Sequence, residues 1–211
     1  MGTDIRPPVT ADAHTVWVEP DPGEGVMRCD LSDETGRTVG AGQAWFMALP
    51  VPEGRQLPLL PWEREGEPAI EPVTEADLDE RERTAVDETL RAAERARALG
   101  TSVGEELTAP TWDADGAVRG VLRLGPSITN RVGHVQGGAL YGIGFAAAAQ
   151  AVGEGMAVAD GHLQFLRPAD GGELVAEGTL LRRGRGAAFA ESRLTVDGRL
   201  TAVGRYAFRP A

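Results

Sequence analysis

The chain has 211 residues, 42% of them hydrophobic and 25% charged, with 32 acidic against 21 basic side chains and a formal net charge of −11. That length suits one large domain or two small ones, and the acidic balance removes the basic footprint that a nucleic-acid backbone demands. No run of about 18 apolar residues marks a membrane span, and the lack of a basic-then-apolar leader, with Cys29 as the single cysteine, leads to the expectation of a reducing cytoplasm.

Residues 1–9 are polar and contain two prolines, which reads as a loose end. Residues 14–18, 25–32 and 37–49 then read as three strands, with Asp33-Glu-Thr-Gly36 as a turn between the second and third. Cys29 falls inside this β pattern and reads as a packing residue rather than a nucleophile. Residues 50–72 are proline-rich and lack apolar periodicity, as an extended connector does. Residues 74–99 read as a helix. Thr74 and Asp77 suggest a capping box, acids crowd the first turns, Arg91, Arg95 and Arg97 the last, and Gly100 stops it. Its apolar positions (Leu78, Ala85, Val86, Leu90) are sparse, so it is expected as a solvated linker helix.

The β pattern returns from Thr108, with a strand at 117–124. A buried helix to about Val152 follows, then strands at 158–166, 173–183, 186–196 and 200–209, the last two joined by the Asp197-Gly198 hairpin turn. Consecutive hairpin-linked strands plus one long apolar helix predict an α+β layout, an antiparallel sheet with the helix packed against it. An internal repeat runs through this pattern. Gly36-Arg37 through Gly42 to Phe46 has the same spacing as Gly198-Arg199 through Gly204 to Phe208. The first copy therefore reads as the closing strands of a module whose front is missing. Three strands alone are marginal, so they are expected to join another sheet or a partner chain.

The segment Asn130-Arg-Val-Gly-His-Val-Gln-Gly-Gly138 stands out chemically. It delivers two glycines to a helix start, where unpaired backbone N–H groups face outward and a ligand can come close. No Asp or Glu lies between Asn130 and Gly153, so the segment supplies donors without an acid or base. There is no GxGxxG or GK[ST] phosphate loop, no CxxC or HExxH ligand set and no GxSxG elbow, so dinucleotide, metal and serine-hydrolase readings are set aside.

These residues resemble the hotdog-fold acyl-CoA thioesterases, and within them the phenylacetate-pathway (PaaI-like) branch. The resemblance is carried by Asn130-x-x-Gly133-x-x-Gln136-Gly137-Gly138, the small-residue helix, Gly161-His-Leu-Gln-Phe-Leu-Arg-Pro168, the Gly184-Arg185 turn and the hairpin from Asp197 to Gly204. It implies an antiparallel sheet wrapped around a central helix over residues 101–211. A partial hotdog of strands is implied over 1–60, with a linker and amphipathic helix at 61–100, so that the whole resembles a truncated double hotdog. It also implies pairing of protomers, as a homodimer or higher homo-oligomer, with each site at an interface. The ligand would be an acyl-CoA or acyl-carrier thioester, with coenzyme A entering as part of the substrate and no metal or separate cofactor.

Within that frame the amides of Gly137 and Gly138 would hold the thioester oxygen. Asn130 would orient the carbonyl or water, and Gln136 stands where the family more often has His. The family's catalytic carboxylate falls at Phe145, which can neither activate water nor attack a thioester. Substitute groups are His134 as a lone base and an Asp160–His162 relay, since Asp160, His162 and Gln164 alternate on one strand face; the plain alternative is a polar face toward solvent. Tyr141 is a candidate donor to the carbonyl. Arg131, Arg182, Arg183 and Arg185 are candidates for the coenzyme A phosphates, or else ordinary exposed turn residues. Three functions remain: acyl-thioester hydrolysis, non-hydrolytic binding of acyl-CoA or a hydrophobic small molecule, and a hotdog dehydratase or cyclase chemistry.

Overall fold

A computed structural model describes residues 9–19, 23–47, 74–113, 118–130 and 132–211. The expected connector at 50–72 and the site candidate Arg131 lie outside the described residues. The chain forms two compact units, divided between residues 71 and 72.

The N-terminal unit is a three-stranded antiparallel meander of β1 (Thr10–Glu19), β2 (Glu24–Ser32) and β3 (Thr38–Met47), paired in that order. Asp33 closes the β2–β3 turn. Its carboxylate accepts from the Thr35 hydroxyl at 2.6 Å, from the Thr35 amide at 3.0 Å and from the Arg37 side chain at 3.0 Å. The Thr35 hydroxyl leads in holding this carboxyl below the usual range.

In the C-terminal unit the helix expected at 74–99 divides. Thr74 and Asp77 do form a capping box, but it closes a single 3-10 turn, Glu75–Asp77. The helix proper, α1 (Glu80–Leu99), starts on a second box, Asp79 with Glu82, and stops at Gly100 with φ 72°. It packs more closely than a solvated linker would, through buried Ala92 and Ala96. A short helix, α2 (Val103–Thr108), follows in a stretch that the sequence pattern left unassigned ahead of the β signal at Thr108.

The sheet of this unit contains β4 (Thr111–Trp112), β5 (Arg119–Arg123), β6 (Met156–Phe165), β7 (Glu173–Arg183), β8 (Ala188–Val196) and β9 (Arg199–Pro210). Every pairing is antiparallel, in the order β4-β5-β7-β8-β9-β6. The long helix α3 (Gly137–Val152) lies against β7, β8, β9 and β6. Ile143, Ala147 and Ala148 are fully buried there with Leu174, Ala190 and Leu194. This is the hotdog arrangement of one helix held by an antiparallel sheet.

The chain packs α3 so closely because small residues meet face to face. A side chain added at Gly178 would run into the carbonyl group of Ala147, with the carbonyl carbon 2.7 Å away. One added at Gly144 would lie 2.8 Å from the Tyr206 hydroxyl. Backbone therefore approaches backbone, and the apolar gain is made by Ala, Gly and Leu at short range.

The repeat extends well beyond the four positions legible in sequence. In the N-terminal unit Ala13 faces Cys29 and Cys29 faces Gly42; in the C-terminal unit Gly178 faces Ser192 and Ser192 faces Gly204. Both units carry a register shift in the first pair, at Thr15/Trp17 and Leu180/Arg182, and another in the second, at Leu31/Ser32 and Leu194/Thr195. β1-β2-β3 thus reproduces β7-β8-β9 residue for residue. The copies differ in their turns: the β1–β2 connection is two residues longer than the β7–β8 one, and the Asp33 turn has one residue more than the tight Asp197-Gly198 turn, where both residues have positive φ.

Candidate functional site

The segment before α3 is a closed loop pinned from several sides. The Asn130 amide donates to the His134 carbonyl at 2.7 Å, and the Gly133 amide to the Asn130 carbonyl at 2.9 Å. Gly133 takes φ 87°, a left-handed turn that glycine adopts without strain. The Asn130 side-chain oxygen accepts from the amides of Val132 and His134, both at 3.0 Å. That pair fixes which end of the Asn130 amide is oxygen. It also makes the side chain a loop brace with only its NH2 end left to offer a ligand.

Helix α1 secures the same loop from outside. Arg81 donates to the Asn130 carbonyl at 2.7 Å and to the Thr129 hydroxyl at 2.9 Å. Glu88 accepts from the Ser127 hydroxyl at 2.7 Å. Neither Arg81 nor Glu88 was expected at the site from sequence, because these contacts join positions 39 to 49 residues apart. No local pattern announces them.

The Gln136 amide is used by the Ile128 carbonyl at 2.9 Å. Gln136 is the N-cap of α3, yet no side chain caps the helix. Gly137 and Gly138 are exposed, and a Cβ at Gly138 would meet nothing within 4 Å. Two amides at the positive end of a helix dipole therefore stand open. The nearest side chain is Phe165 on β6, whose ring would lie 3.5 Å from a Cβ at Gly137. Phe165 is a third site residue that sequence reasoning missed, after Arg81 and Glu88; alternation along β6 from Gly161 was the available signal.

That alternation also redirects the proposed relay. Gly161 and Leu163 of β6 lie opposite Tyr206 and Gly204 of β9, on the helix side. Asp160, His162 and Gln164 alternate with them and point to the other face, all exposed. The expectation that this polar face looks toward the helix start is corrected: the apolar alternates Gly161, Leu163 and Phe165 do so. His134 is half-buried in the loop, held through its backbone to Asn130.

Tyr141 lies one helical turn past Gly137, with its hydroxyl against Gly161 and its ring edge-on to Tyr206 at 5.8 Å. Burial, aided by Asp160, pushes its pKa up, so it stays a protonated donor at neutral pH. Phe145 packs between aromatic rings, 6.1 Å from both Tyr206 and Phe208. It fills an aromatic cluster, so the loss of a carboxylate here is matched by apolar packing.

The arginines at the β7–β8 turn stand apart from the helix start. Arg183 donates to the carbonyls of Val152 and Glu154, the latter at 2.8 Å, and so caps the C-terminal end of α3. With 16 residues in α3, that end is about 24 Å from Gly137 at ~1.5 Å per residue. Arg182 and Arg185 are exposed at the same end. Within one chain, therefore, this cluster and the glycine amides do not converge on one small group.

Two surface grooves flank the loop region. One, of about 670 Å³, runs between the start of α1 and the loop, past Asp79, Arg81, Thr84, Thr129 and Gly133. The other, of about 590 Å³, is lined by Arg167, Asp170, Asp197 and Arg199. Gly137 and Gly138 line neither. Among the described residues no group of three His, Cys, Asp or Glu side chains is arranged to hold a metal ion. No helix there is long and apolar enough to cross a membrane.

Residues 126–209 match the family described as acyl-CoA thioesterase N-terminal domain. A Bacillus halodurans protein crystallised with CoA superposes with a TM-score of 0.57 at 19% identity, over 64% of this chain and 95% of that one. Zebra fish thioesterase superfamily member 2 gives a TM-score of 0.48 at 20% identity, over 61% and 99%. A phenylacetic acid degradation-related protein from Ralstonia eutropha gives 0.42 at 26% identity, over 55% and 89%. No curated protein matches the chain.

Proposed function

We infer an acyl-CoA thioesterase-like site at the start of α3, supported by the match of residues 126–209 to the acyl-CoA thioesterase N-terminal domain family and by the fold shared with the Bacillus halodurans protein. The carbonyl oxygen of the thioester is received by the open amides of Gly137 and Gly138. One observation carries this: α3 begins without a side-chain cap and with two exposed glycines. Donors fixed before the reaction favour an oxygen on which negative charge grows, and one such donor is worth about 3–4 kcal/mol in a transition state. The CoA bound to the Bacillus halodurans protein of the same fold supports coenzyme A as the carrier.

Polarisation is the part of the chemistry that this chain equips best. The base position is Phe145, the Asp160–His162 face is turned away, and Asn130 spends its side-chain oxygen on the loop. A missing general base costs about two to four orders of magnitude. Hydrolysis, where it occurs, is therefore slow unless a second copy contributes a group. The apolar surroundings of Phe145, Tyr141 and Phe165 suit an acyl chain. This favours the second reading, a protein that holds acyl-CoA with little turnover.

Pairing of two copies belongs to this reading. Among the described residues, β6 is a ten-residue edge strand with one unpaired side; Val158 and Phe165 on it are exposed, as is Tyr141 on α3. A second β6 laid against it would enclose the open helix start. A cytoplasmic setting, where acyl-CoA is met, completes the proposal.

The test is a panel of acyl-CoAs of graded chain length, with free thiol release followed optically and binding by calorimetry. Turnover abolished in Asn130→Ala supports the enzyme. Saturable binding with no thiol above background supports the carrier. No binding of any member overturns both.

A further inference from the structure

The amides that open α3 are aimed by a short loop, and that loop is organised around Asn130. Its side-chain oxygen accepts from the amides of Val132 and His134, its own amide donates to the His134 carbonyl, and its carbonyl accepts from Gly133. All of these bonds stay inside the loop. Two further links lead on to the helix: Thr129 forms a β-bridge with Val135, and the Gln136 amide donates to the Ile128 carbonyl at 2.9 Å. The leg carrying Ile128, Thr129 and Asn130 therefore sets the position of the leg carrying Val135, Gln136 and Gly137.

Helix α1 holds the first leg at two points. Glu88 accepts from the Ser127 amide at 3.2 Å and from the Ser127 hydroxyl at 2.7 Å, at the head of the 3-10 turn Pro126–Ile128. Gly125 makes room for it, since a side chain there would lie 2.5 Å from both carboxylate oxygens. About two turns earlier on the same helix face, Arg81 reaches the far end of the leg. One of its nitrogens, Nη2, donates to the Asn130 carbonyl at 2.7 Å and to the Thr129 hydroxyl at 2.9 Å. The two ends of α1 are fixed in different ways. Ala92 and Ala96 are buried, whereas every residue from Glu80 to Thr84 is exposed. A groove of about 670 Å³ runs between this exposed end and the loop. Packing secures the back of the helix; at the front, polar bonds reach the loop across the groove and can be lost without opening the core.

We propose that Arg81 is a positioning residue for the acyl-thioester site. By holding the Thr129–Asn130 leg from outside the loop, it keeps the amides of Gly137 and Gly138 directed at the ligand oxygen. It touches no reacting atom. The proposal rests on the reading of the helix start given above. Where the leg drifts, apparent affinity falls in proportion to the fraction of molecules still in register.

The parent, Arg81→Ala and Arg81→Lys are compared by amide hydrogen exchange, a thermal melt and calorimetric titration with butyryl-CoA and decanoyl-CoA. Arg81→Ala removes an exposed side chain, so it folds and melts close to the parent. Exchange at Gly133 and His134 quickens about five- to tenfold, while Ile143 and Ala147 inside α3 exchange as before. Kd weakens about 3- to 10-fold with the number of sites per chain unchanged. A merely structural role would lower Tm, quicken loop and core together and leave the Kd of the folded molecules alone. Lysine keeps the charge on a stem one bond shorter, so Arg81→Lys falls between the other two in both exchange and Kd. Unchanged loop exchange in Arg81→Ala overturns the proposal, and so does faster loop exchange with an unchanged Kd. An Arg81→Lys protein with the Kd of the parent and the loop exchange of Arg81→Ala overturns it too, because attraction of the CoA phosphates by charge is then the whole effect. A parent that binds neither acyl-CoA refutes the proposed function instead. The exchange comparison then decides the hold of Arg81 on the helix start by itself: quickening confined to the loop upholds it, and its absence overturns it.

Discussion

Gly137→Pro removes one candidate oxyanion donor and nothing else. Gly137 is the first residue of α3, and proline is favoured there because its missing N–H bonds no carbonyl in the helix. Proline also requires an extended residue before it, and Gln136 already has φ −58° and ψ 137°. A side-chain carbon at 137 meets Phe165 at 3.5 Å, an ordinary contact. The fold is therefore retained. If the amide stabilises a transition-state oxyanion, kcat falls about 10²–10³-fold, the equivalent of ~3–4 kcal/mol. If the protein only binds acyl-CoA, the loss of one hydrogen bond worth ~0.5–1.5 kcal/mol weakens Kd about 2- to 12-fold. Gly138→Ala is the control. It keeps its N–H and meets no protein atom, so it melts like the parent, and any loss of turnover or affinity in it measures how closely the ligand approaches rather than the loss of a donor. Thiol release, calorimetry and a thermal melt on the three proteins settle the matter. A Gly137→Pro protein that melts normally and keeps full turnover and affinity would refute the role of the helix start.

Gly178→Ala drives a methyl group into the Ala147 carbonyl, and α3 must lift from the sheet; Tm falls by the equivalent of about 1–3 kcal/mol, read by calorimetry. Arg183→Ala uncaps the other end of α3; stability drops by about 1–3 kcal/mol, while acyl-CoA affinity measured at a temperature where the protein is folded is unchanged. Phe145→Asp places a carboxylate beside Tyr206 and Phe208 at a cost of about 3–5 kcal/mol, and the fraction that folds hydrolyses acyl-CoA faster than the parent. Burial raises the Tyr206 pKa to about 12, against ~10 in the unfolded chain. The folded state then holds a proton that the unfolded state releases. The stabilisation is complete below pH ~10 and is lost as pH rises through about 12. An alkaline melt series should show this limb in the parent and a flatter one in Tyr206→Phe.

Much of the fold was legible because its signals are local. The Asp197-Gly198 turn, the Gly100 stop and the period-two strands from Glu173 onward all appear where local chemistry puts them. The division of the helix at 74–99 was not legible, since Thr74-x-x-Asp77 and Asp79-x-x-Glu82 are competing start signals and only packing decides between them. The site was legible at its centre and not at its margins. Gly137 and Gly138 stand out in sequence through their spacing and the small-residue helix behind them. Arg81 and Glu88 reach the loop by tertiary routes that leave no trace in neighbouring residues, whereas Phe165 was foreshadowed by the alternation of β6 from Gly161. At Asp160 and His162 strand alternation said that they share a face and left open whether it looked into the cleft or toward solvent; only the partner strand β9 could say which.

The two halves share a strand register but not the way in which it is fastened. The first hairpin is gathered around one ionised carboxylate, at Asp33, which keeps Thr35 and Arg37 in place only while it stays charged. The second half is closed over a phenol, at Tyr206, that must stay neutral. Acid should therefore loosen the amino-terminal copy first, and alkali the carboxy-terminal one, so that a duplicated architecture fails from opposite ends of the pH scale.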